Sequence, residues 1–556
     1  MKISSLLLCS AAAVLWTAPL YAQAPSEKAR LDEIARNAAQ QFAAARAEAD
    51  QTRPANPPPA GQHIELTLDD AVERALDRNL QLAVERLNPQ TFDLAVARLQ
   101  SVYRPTLTSQ IGQQSRINPP TSTLNGGNVV DNDTTTYNTG VSQAMKWGGG
   151  TFSFQFNNNK QVSSNAFNNY NPAFNSNFAA TYVQPLLRGL TIDSTRQQLK
   201  VTALNRDISE TQLKGTVAQT VASVRNAYWE LVYAVQALDV AKGSEDLANK
   251  LVEDNRARVE VGTMAPLDVA TAEAEAATRR QATTTAESAL GTAQLTLKQL
   301  IVSGTDDPLW SATITPVDRA TFREQALDVE TAVRKALAER SDMETARKTV
   351  DANDVTMKWA HNQELPALDM TASYGSVGLG GTQYQRSGSG VTSTIIGTVP
   401  GGYSDAWRTL SGLDYPNWNV SFNFSYPLGQ SAQEASYARA KVQRNQAAAQ
   451  MRALELSIAT EVTNIALQVE SNLKRYEAAT AARELAETRL NAEQSRFEVG
   501  LSTNFFVVQA QRDLATAQNS ELRALLDYRH SLVDFERVQQ APATGRGTGV
   551  TTVTGN

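Results

Sequence analysis

Cysteine is nearly missing from this chain. Among 556 residues there is one, Cys9, and it lies in an apolar run at the start. Everything after it lacks a thiol, which excludes disulfides and cysteine-ligated metals. Cys9 also follows Leu8, where a lipid acceptor needs a small residue before it, so lipidation is not expected. Histidine is almost as scarce. His63, His361 and His530 are all there is, and none has a partner at metal-ligand or triad spacing. There is no glycine-rich phosphate loop, and the acids are spread over helical faces. Neither an enzyme nor a cofactor is expected.

Long apolar runs are missing too. The one that stands out, Leu6 to Ala18, follows Lys2 and precedes small residues at Ala22 and Ala24. It reads as a secretory signal peptide over 1–22, too short and wrongly flanked for a spanning helix. Cleavage after Ala22 is favoured, because Pro25 sits just beyond the alternative cut. Charged residues make up 19% and the mean hydropathy is −0.35, unlike a polytopic helical membrane protein. Insertion into a membrane would therefore have to use strands. Without Lys2, 50 basic residues face 57 acidic ones, a net charge of −7, which gives no reason to expect nucleic acid as a partner.

What the sequence does have is a long plan stated twice. Residues 66–302 and 327–540 follow one order: helix, proline, alternating strands, proline, very long helix, glycine turn, shorter helix. Ala71-Val72 with Ala75-Leu76 recurs as Ala332-Val333 with Ala336-Leu337. Pro105-Thr106-Leu107 recurs as Pro366-Ala367-Leu368, and Gln184-Pro185-Leu186 as Tyr426-Pro427-Leu428. Arg258-Val259-Glu260-Val261-Gly262 recurs as Arg496-Phe497-Glu498-Val499-Gly500. The division is a first repeat over 63–310 and a second over 311–540. Before them come an extension at 23–62 with a Pro-rich linker at 51–62, and after them a disordered tail at 541–556.

The spans 193–261 and 431–499 contain no proline. At 1.5 Å per residue each predicts a helix of roughly 100 Å. Val217, Val221, Val224, Tyr228, Leu231, Val235 and Leu238 step by four and three, a heptad stripe, and Ile458, Val462, Ile465 and Val469 repeat it. Gly262 and Gly500 suit the left-handed residue that ends a helix, and Pro266 suits the first turn of the next. Shorter helices then return to about Leu300 and Gln539. Single helices of about 36 residues are expected at 67–102 and 327–363.

Residues 417–426 alternate strictly. Trp418, Val420, Phe422, Phe424 and Tyr426 take one face; Asn417, Asn419, Ser421, Asn423 and Ser425 take the other. An outward apolar face with aromatic ends and a polar reverse is what an outer-membrane barrel strand needs. Residues 151–157 and 367–374 repeat the pattern, and 106–112 and 176–184 do so more weakly. The polar stretches 113–135, 159–175 and 375–416 are expected as exterior loops, and Lys146 to Gly150 as a tight turn. So few strands per chain cannot close a useful bore, so several chains must share one barrel.

The duplicated plan, QPLLRG at 184–189 and the two R-x-E-V-G turns resemble the TolC family of outer-membrane efflux proteins over roughly 63–540. The resemblance implies a membrane β-barrel joined to an α-helical tunnel across the periplasm. It also implies a homotrimer of twelve strands, four from each chain, with the hairpin around Trp147 either added to the wall or appended outside. The implied function is the exit duct of a tripartite efflux pump for small toxic compounds, passive and gated at its periplasmic tip. The implied partners are a periplasmic adaptor and an inner-membrane pump of the resistance-nodulation or ABC type. A duct for type I protein secretion and a periplasmic coiled-coil scaffold are the alternatives. By the same resemblance the pore constriction falls at Asp268, Phe506 and Gln509, where two of the family's acidic positions are replaced. The gate latch falls at Phe497 and Ser502, and the adaptor-contact tips at Gly262, Thr263, Met264, Gly500 and Leu501.

Overall fold

The structure, a computed structural model, describes residues 63–119, 129–165, 167–319, 322, 327–388, 393–429 and 431–541. The signal peptide, the Pro-rich linker and nearly all of the tail lie outside the described residues. The order is β1 (His63–Leu66), α1 (Leu68–Arg78), α2 (Leu80–Ser101), β2 (Thr106–Asn118), β3 (Val130–Ala144), β4 (Thr151–Ser163), β5 (Tyr170–Pro185), α3 (Ser194–Glu260) and α4 (Pro266–Ile301). It continues with α5 (Pro308–Ser311), β6 (Thr313–Pro316), α6 (Val329–Glu339), α7 (Ser341–Gln363), β7 (Ala367–Ser387), β8 (Thr394–Val399), α8 (Tyr403–Ser411), β9 (Pro416–Ser425), α9 (Ala432–Glu498) and α10 (Asn504–Val538). The chain is mostly helical with sheet, and its two-repeat plan stands.

Both long helices have 67 residues, about 100 Å each. The Asp193 side chain accepts from the Arg196 N–H at the start of α3, and Ser431 and Glu434 form a capping box on α9. The buried surface of α3 is wider than one heptad stripe. Ala222, Ala227, Trp229 and Val232 are buried beside Val224, Tyr228 and Leu231, because α4, α7, α10 and α2 all pack along α3.

The single helices expected at 67–102 and 327–363 are each broken after 11 residues, at Asn79 and Arg340. Asn79 leaves helical geometry and caps α2 by accepting from the Leu82 N–H, while its own amide donates to the Leu300 carbonyl. At the second break Arg340 donates to the Val538 carbonyl and pairs with Asp342 and Glu461. The repeats solve the break alike: Arg86 donates to the Leu76 carbonyl at 2.7 Å and Arg347 to the Leu337 carbonyl at 2.8 Å. Those are carbonyls that an unbroken helix would have satisfied itself.

Near these breaks lies the main core. His63, expected at the linker boundary, opens β1, which pairs in parallel with β6. Leu66, Ala71, Ala75, Val224, Leu231, Leu297 and Ile301 pack there, each large side chain contributing roughly 1.5–3 kcal/mol. Tyr228 is fully buried and donates to the Leu66 carbonyl and Asp318. Burial drives its phenol far above the ordinary tyrosine range.

The sheet runs β2-β3-β4-β5-β7-β9, with β8 added to the far end of β7. The Trp147 hairpin is thus part of the sheet, between β2 and β5. Its turn closes by Met145 N–H to the Gly150 carbonyl, with Gly148 and Gly149 both at φ +68°. The strands also run well into the stretches expected as exterior loops, since β3 has 15 residues and β7 has 21. Register puts Leu107, Val141, Phe154, Ala180, Tyr374 and Trp418 on one face. The opposite face carries an amide ladder, in which Asn157 donates to Asn177 and Asn175 to Asn159. Beyond the start of β9, α8 lies over the apolar face of β7. Gly378 makes room for it, since a Cβ there would stand 2.0 Å from the Ala406 carbonyl oxygen.

Candidate functional site at the hairpin tips

The far ends of the long helices turn back through two matching caps. Gly262 takes φ +76° and Gly500 φ +78°. In the first cap the Thr263 N–H reaches the Arg258 carbonyl at 2.9 Å and the Gly262 N–H the Val259 carbonyl at 3.0 Å. In the second, Leu501 reaches Arg496 at 2.8 Å and Gly500 reaches Phe497 at 3.2 Å. Both are Schellman caps, which need a residue without a Cβ penalty at the left-handed position. Neither glycine has any atom near its missing Cβ, so the conformation alone selects glycine.

Between the caps sits a small apolar cluster of Leu251, Phe497, Val507 and Val508, with Met264 packed against it. Met264 is therefore half-buried, whereas Leu501 is 80% exposed. Phe497 does not sit free: the Arg258 guanidinium lies 4.4 Å from its ring centroid, a cation–π contact tying α3 to α9. Ser502 donates to Glu493 at 2.7 Å. The Asp268 carbonyl accepts from the Asn504 amide at 3.2 Å, so the first turns of α4 and α10 meet through backbone and amide. The Asp268 carboxylate makes no part of that bond.

Phe506 is 50% exposed and meets Phe505 edge-on at 5.6 Å. Gln509 stands three residues further along α10 and donates to Asp513 at 2.8 Å. Asp513 also accepts from Arg489 at 2.8 Å. An acid does lie near the line of Phe506 and Gln509, but a cation balances it.

One cluster escaped the sequence reading. Glu275 of α4 is buried, with 2% of its side chain exposed. It accepts from Arg279 at 2.7 Å and from Arg512 of α10 at 2.9 Å. Burial pushes the Glu275 carboxyl upward, but hydrogen bonds from Arg512 and Arg279 outweigh it and hold the pKa below the ordinary value. A glutamate four residues before an arginine is a common exposed helical pair, so only the partner 237 residues away marks this one.

The histidines play local parts. His361 pairs with Glu364 at 3.0 Å, and His530 meets the Asn226 carbonyl at 3.1 Å.

The profile of a family described as outer membrane efflux protein matches residues 151–302 and 332–538. No curated protein matches the sequence. Among solved structures, the CmeC outer membrane channel of Campylobacter jejuni is similar over 85% of this chain and 85% of its own, at TM-score 0.60 and 15% identity. The outer membrane protein VceC of Vibrio cholerae is similar over 85% and 96%, at TM-score 0.58 and 15% identity. The open state of the MtrE outer membrane channel of Neisseria gonorrhoeae is similar over 85% and 89%, at TM-score 0.57 and 16% identity. At these identities the likeness is one of fold.

Proposed function

Because the chain belongs to the outer membrane efflux protein family, we propose that it forms a homotrimeric channel in the outer membrane. It serves there as the passive exit duct of a tripartite efflux pump for small toxic compounds. The observation that carries this reading is the continuity of two structures in one chain. A sheet with one apolar and one polar face leads directly into helices of 67 residues. The first suits a lipid wall around water; the second reaches about 100 Å beyond it.

The closed state is held at the tips. Three copies of the Phe505–Phe506 pair supply an apolar constriction, and Gln509 sits just above it. With Asp513 balanced by Arg489 and Phe506 and Gln509 standing where the family's acids would be, Asp268 is left as the acid of the constriction, so the duct selects only weakly between cations and anions. A periplasmic adaptor meets the exposed turns at Thr263 and Leu501. It opens the duct by binding the dilated state more tightly than the closed one. The energy for transport comes from an inner-membrane pump of the resistance-nodulation or ABC class.

Replacing Phe506 and Gln509 together by serine tests the gate. In planar bilayers the purified oligomer is expected to give small, weakly selective currents, and the double variant several-fold larger ones. Unchanged conductance would place the constriction elsewhere. Failure to insert at all would refute the channel itself.

A further inference from the structure

The sheet carries a consequence for the size of the barrel. Its six long strands lie in the order β2-β3-β4-β5-β7-β9, every neighbouring pair antiparallel. β3 and β4 are full members. β3 follows β2 residue for residue from Thr106↔Ser142 to Asn118↔Val130, and β4 pairs with β5 from Thr151↔Val183 to Gln161↔Ala173. Their side chains continue both faces. Phe152, Phe154 and Phe156 lie level with Tyr182, Ala180 and Phe178 on the apolar side. Asn157 joins Asn177 on the polar side. An appendage packed outside would not keep this alternation in step with both neighbours.

Among the described residues the outermost strands, β2 and β9, each lack a neighbour on one side. Their apolar residues are bare: Leu107 71%, Ile111 78%, Trp418 76% and Phe424 65%, against 39% for Phe154 on β4 and 45% for Tyr374 on β7. In hydrocarbon an open strand edge leaves backbone groups unsatisfied, which is why spanning sheets close. Six strands are too few to curl round a lumen, since about eight only just enclose packed side chains. β2 leaves the helix junction at Pro105 and β9 returns to it at Pro427, so the two edges run antiparallel. A second copy can therefore set its β9 beside this β2 with polarity and facing both preserved.

Resting on the trimeric reading above, we propose that each copy contributes six strands to the shared wall, so that three copies close a barrel of eighteen strands joined by β2–β9 contacts. Four strands per chain, the number implied by the resemblance, would give twelve. Barrel diameter grows roughly linearly with strand number, so the bore is about 1.5-fold wider than a twelve-stranded one. The exit is then broad, and the restriction on cargo size falls to the tips.

The chain after Cys9 has no cysteine, so engineered disulfides report pairing directly. Both strands meet the helices at the same end. Ser109, four residues past Pro105, therefore stands near Phe422, five before Pro427, on the same face. Ser109→Cys with Phe422→Cys is expected to yield covalent trimers in oxidised outer membranes, with Val420→Cys and Phe424→Cys in place of Phe422→Cys bracketing the register. Each single variant should remain a monomer on denaturing gels. Ser109→Cys with Phe178→Cys should give no internal disulfide, because β3 and β4 separate those strands. An internal β2–β5 disulfide would overturn the six-strand wall while leaving the trimer intact, as would a cryo-EM cross-section with twelve strands. Covalent dimers closing twelve strands from two copies would overturn the eighteen-strand count. Monomers from every pair, with no oligomer in detergent, would refute the trimeric channel on which the proposal rests.

Discussion

Glu275→Gln should loosen the tip without unfolding the chain. The substitution keeps the shape and one acceptor oxygen but removes the charge that Arg512 and Arg279 approach. Hydrogen bonds to charged groups contribute about 1.5–3 kcal/mol net. Losing one partner of a buried pair can cost 3–5 kcal/mol, but 52% of the Arg512 side chain is exposed and water will take up much of its charge. That discount leaves about 2 kcal/mol. α4 and α10 make few other contacts, so any motion that parts the hairpins at this level must break the pair. About 2 kcal/mol lost from the closed state alone shifts a closed–open equilibrium about 30-fold. The assay is open probability in planar bilayers, with Arg512→Gln as the reciprocal variant and the double variant to close a cycle. The double should cost less than the sum of the singles, because both remove the Glu275–Arg512 contact. The pH dependence follows from the lowered pKa of Glu275. Its stabilising share is complete above the ordinary glutamate value of 4.5. It is lost as pH falls through the lower folded value. Open probability should thus be flat from neutrality to about pH 5 and rise only in stronger acid, and Glu275→Gln should abolish that rise. Wild-type open probability in the variant, or an additive double variant, would refute the latch.

Three further outcomes test separate parts of the fold. Gly262→Ala and Gly500→Ala place a Cβ at φ +76° and +78° and should each cost about 1–2 kcal/mol, read as faster amide exchange at Thr263 and Leu501; unchanged protection would mean that the caps are not held as described. Arg340→Ala leaves Asp342 and Glu461 without the buried guanidinium, whose side chain is only 3% exposed, and should lower stability in a denaturant titration by about 3 kcal/mol or more. Lysine there should rescue little, because it lacks the planar fork that serves two acids and a carbonyl; full rescue would show that charge alone matters. Gly378→Val drives a side chain into the Ala406 carbonyl and should lift α8 from the sheet, opening Arg408 to trypsin while the oligomer persists; equal resistance would place the docking force elsewhere.

Much of this was legible because the signals were local. Asp193 and Gly262 bracket the first long helix and Ser431 and Gly500 the second, and the 67-residue helices fall between them. The breaks at Asn79 and Arg340 were not legible. Helical periodicity runs through both, and the partners that fix them, the Leu300 and Val538 carbonyls, come from remote helices. β1 and β6 have four residues each and meet 250 positions apart, too short for a pattern to declare them. The strand ends were hidden by composition. Residues 130–138, VDNDTTTYN, have no apolar alternation, since beyond the lipid neither face has to be apolar. At the tips the glycine caps were readable, whereas the Glu275–Arg512 pair depends on how two repeats face each other.

The repeats are faithful where they are helical and unequal where they are sheet. Paired helices have 67 and 67, 36 and 35, and 22 and 23 residues, while four long strands stand in the first repeat and two in the second. Packing geometry explains the contrast. Long helices side by side must end at a common level, so an insertion in one leaves apolar surface uncovered or moves a cap out of register with its neighbour. A sheet is permissive in one respect only. Adding two antiparallel strands together returns the chain to the same end, keeps each face on its own side and preserves the polarity of the edges. A single added strand would end on the wrong side of the membrane, and an odd residue in a strand would turn phenylalanine inward. The Trp147 hairpin meets both conditions, with a Gly148-Gly149 turn and an unbroken register to β2. The width of the sheet can therefore change while the hairpin tips keep their geometry.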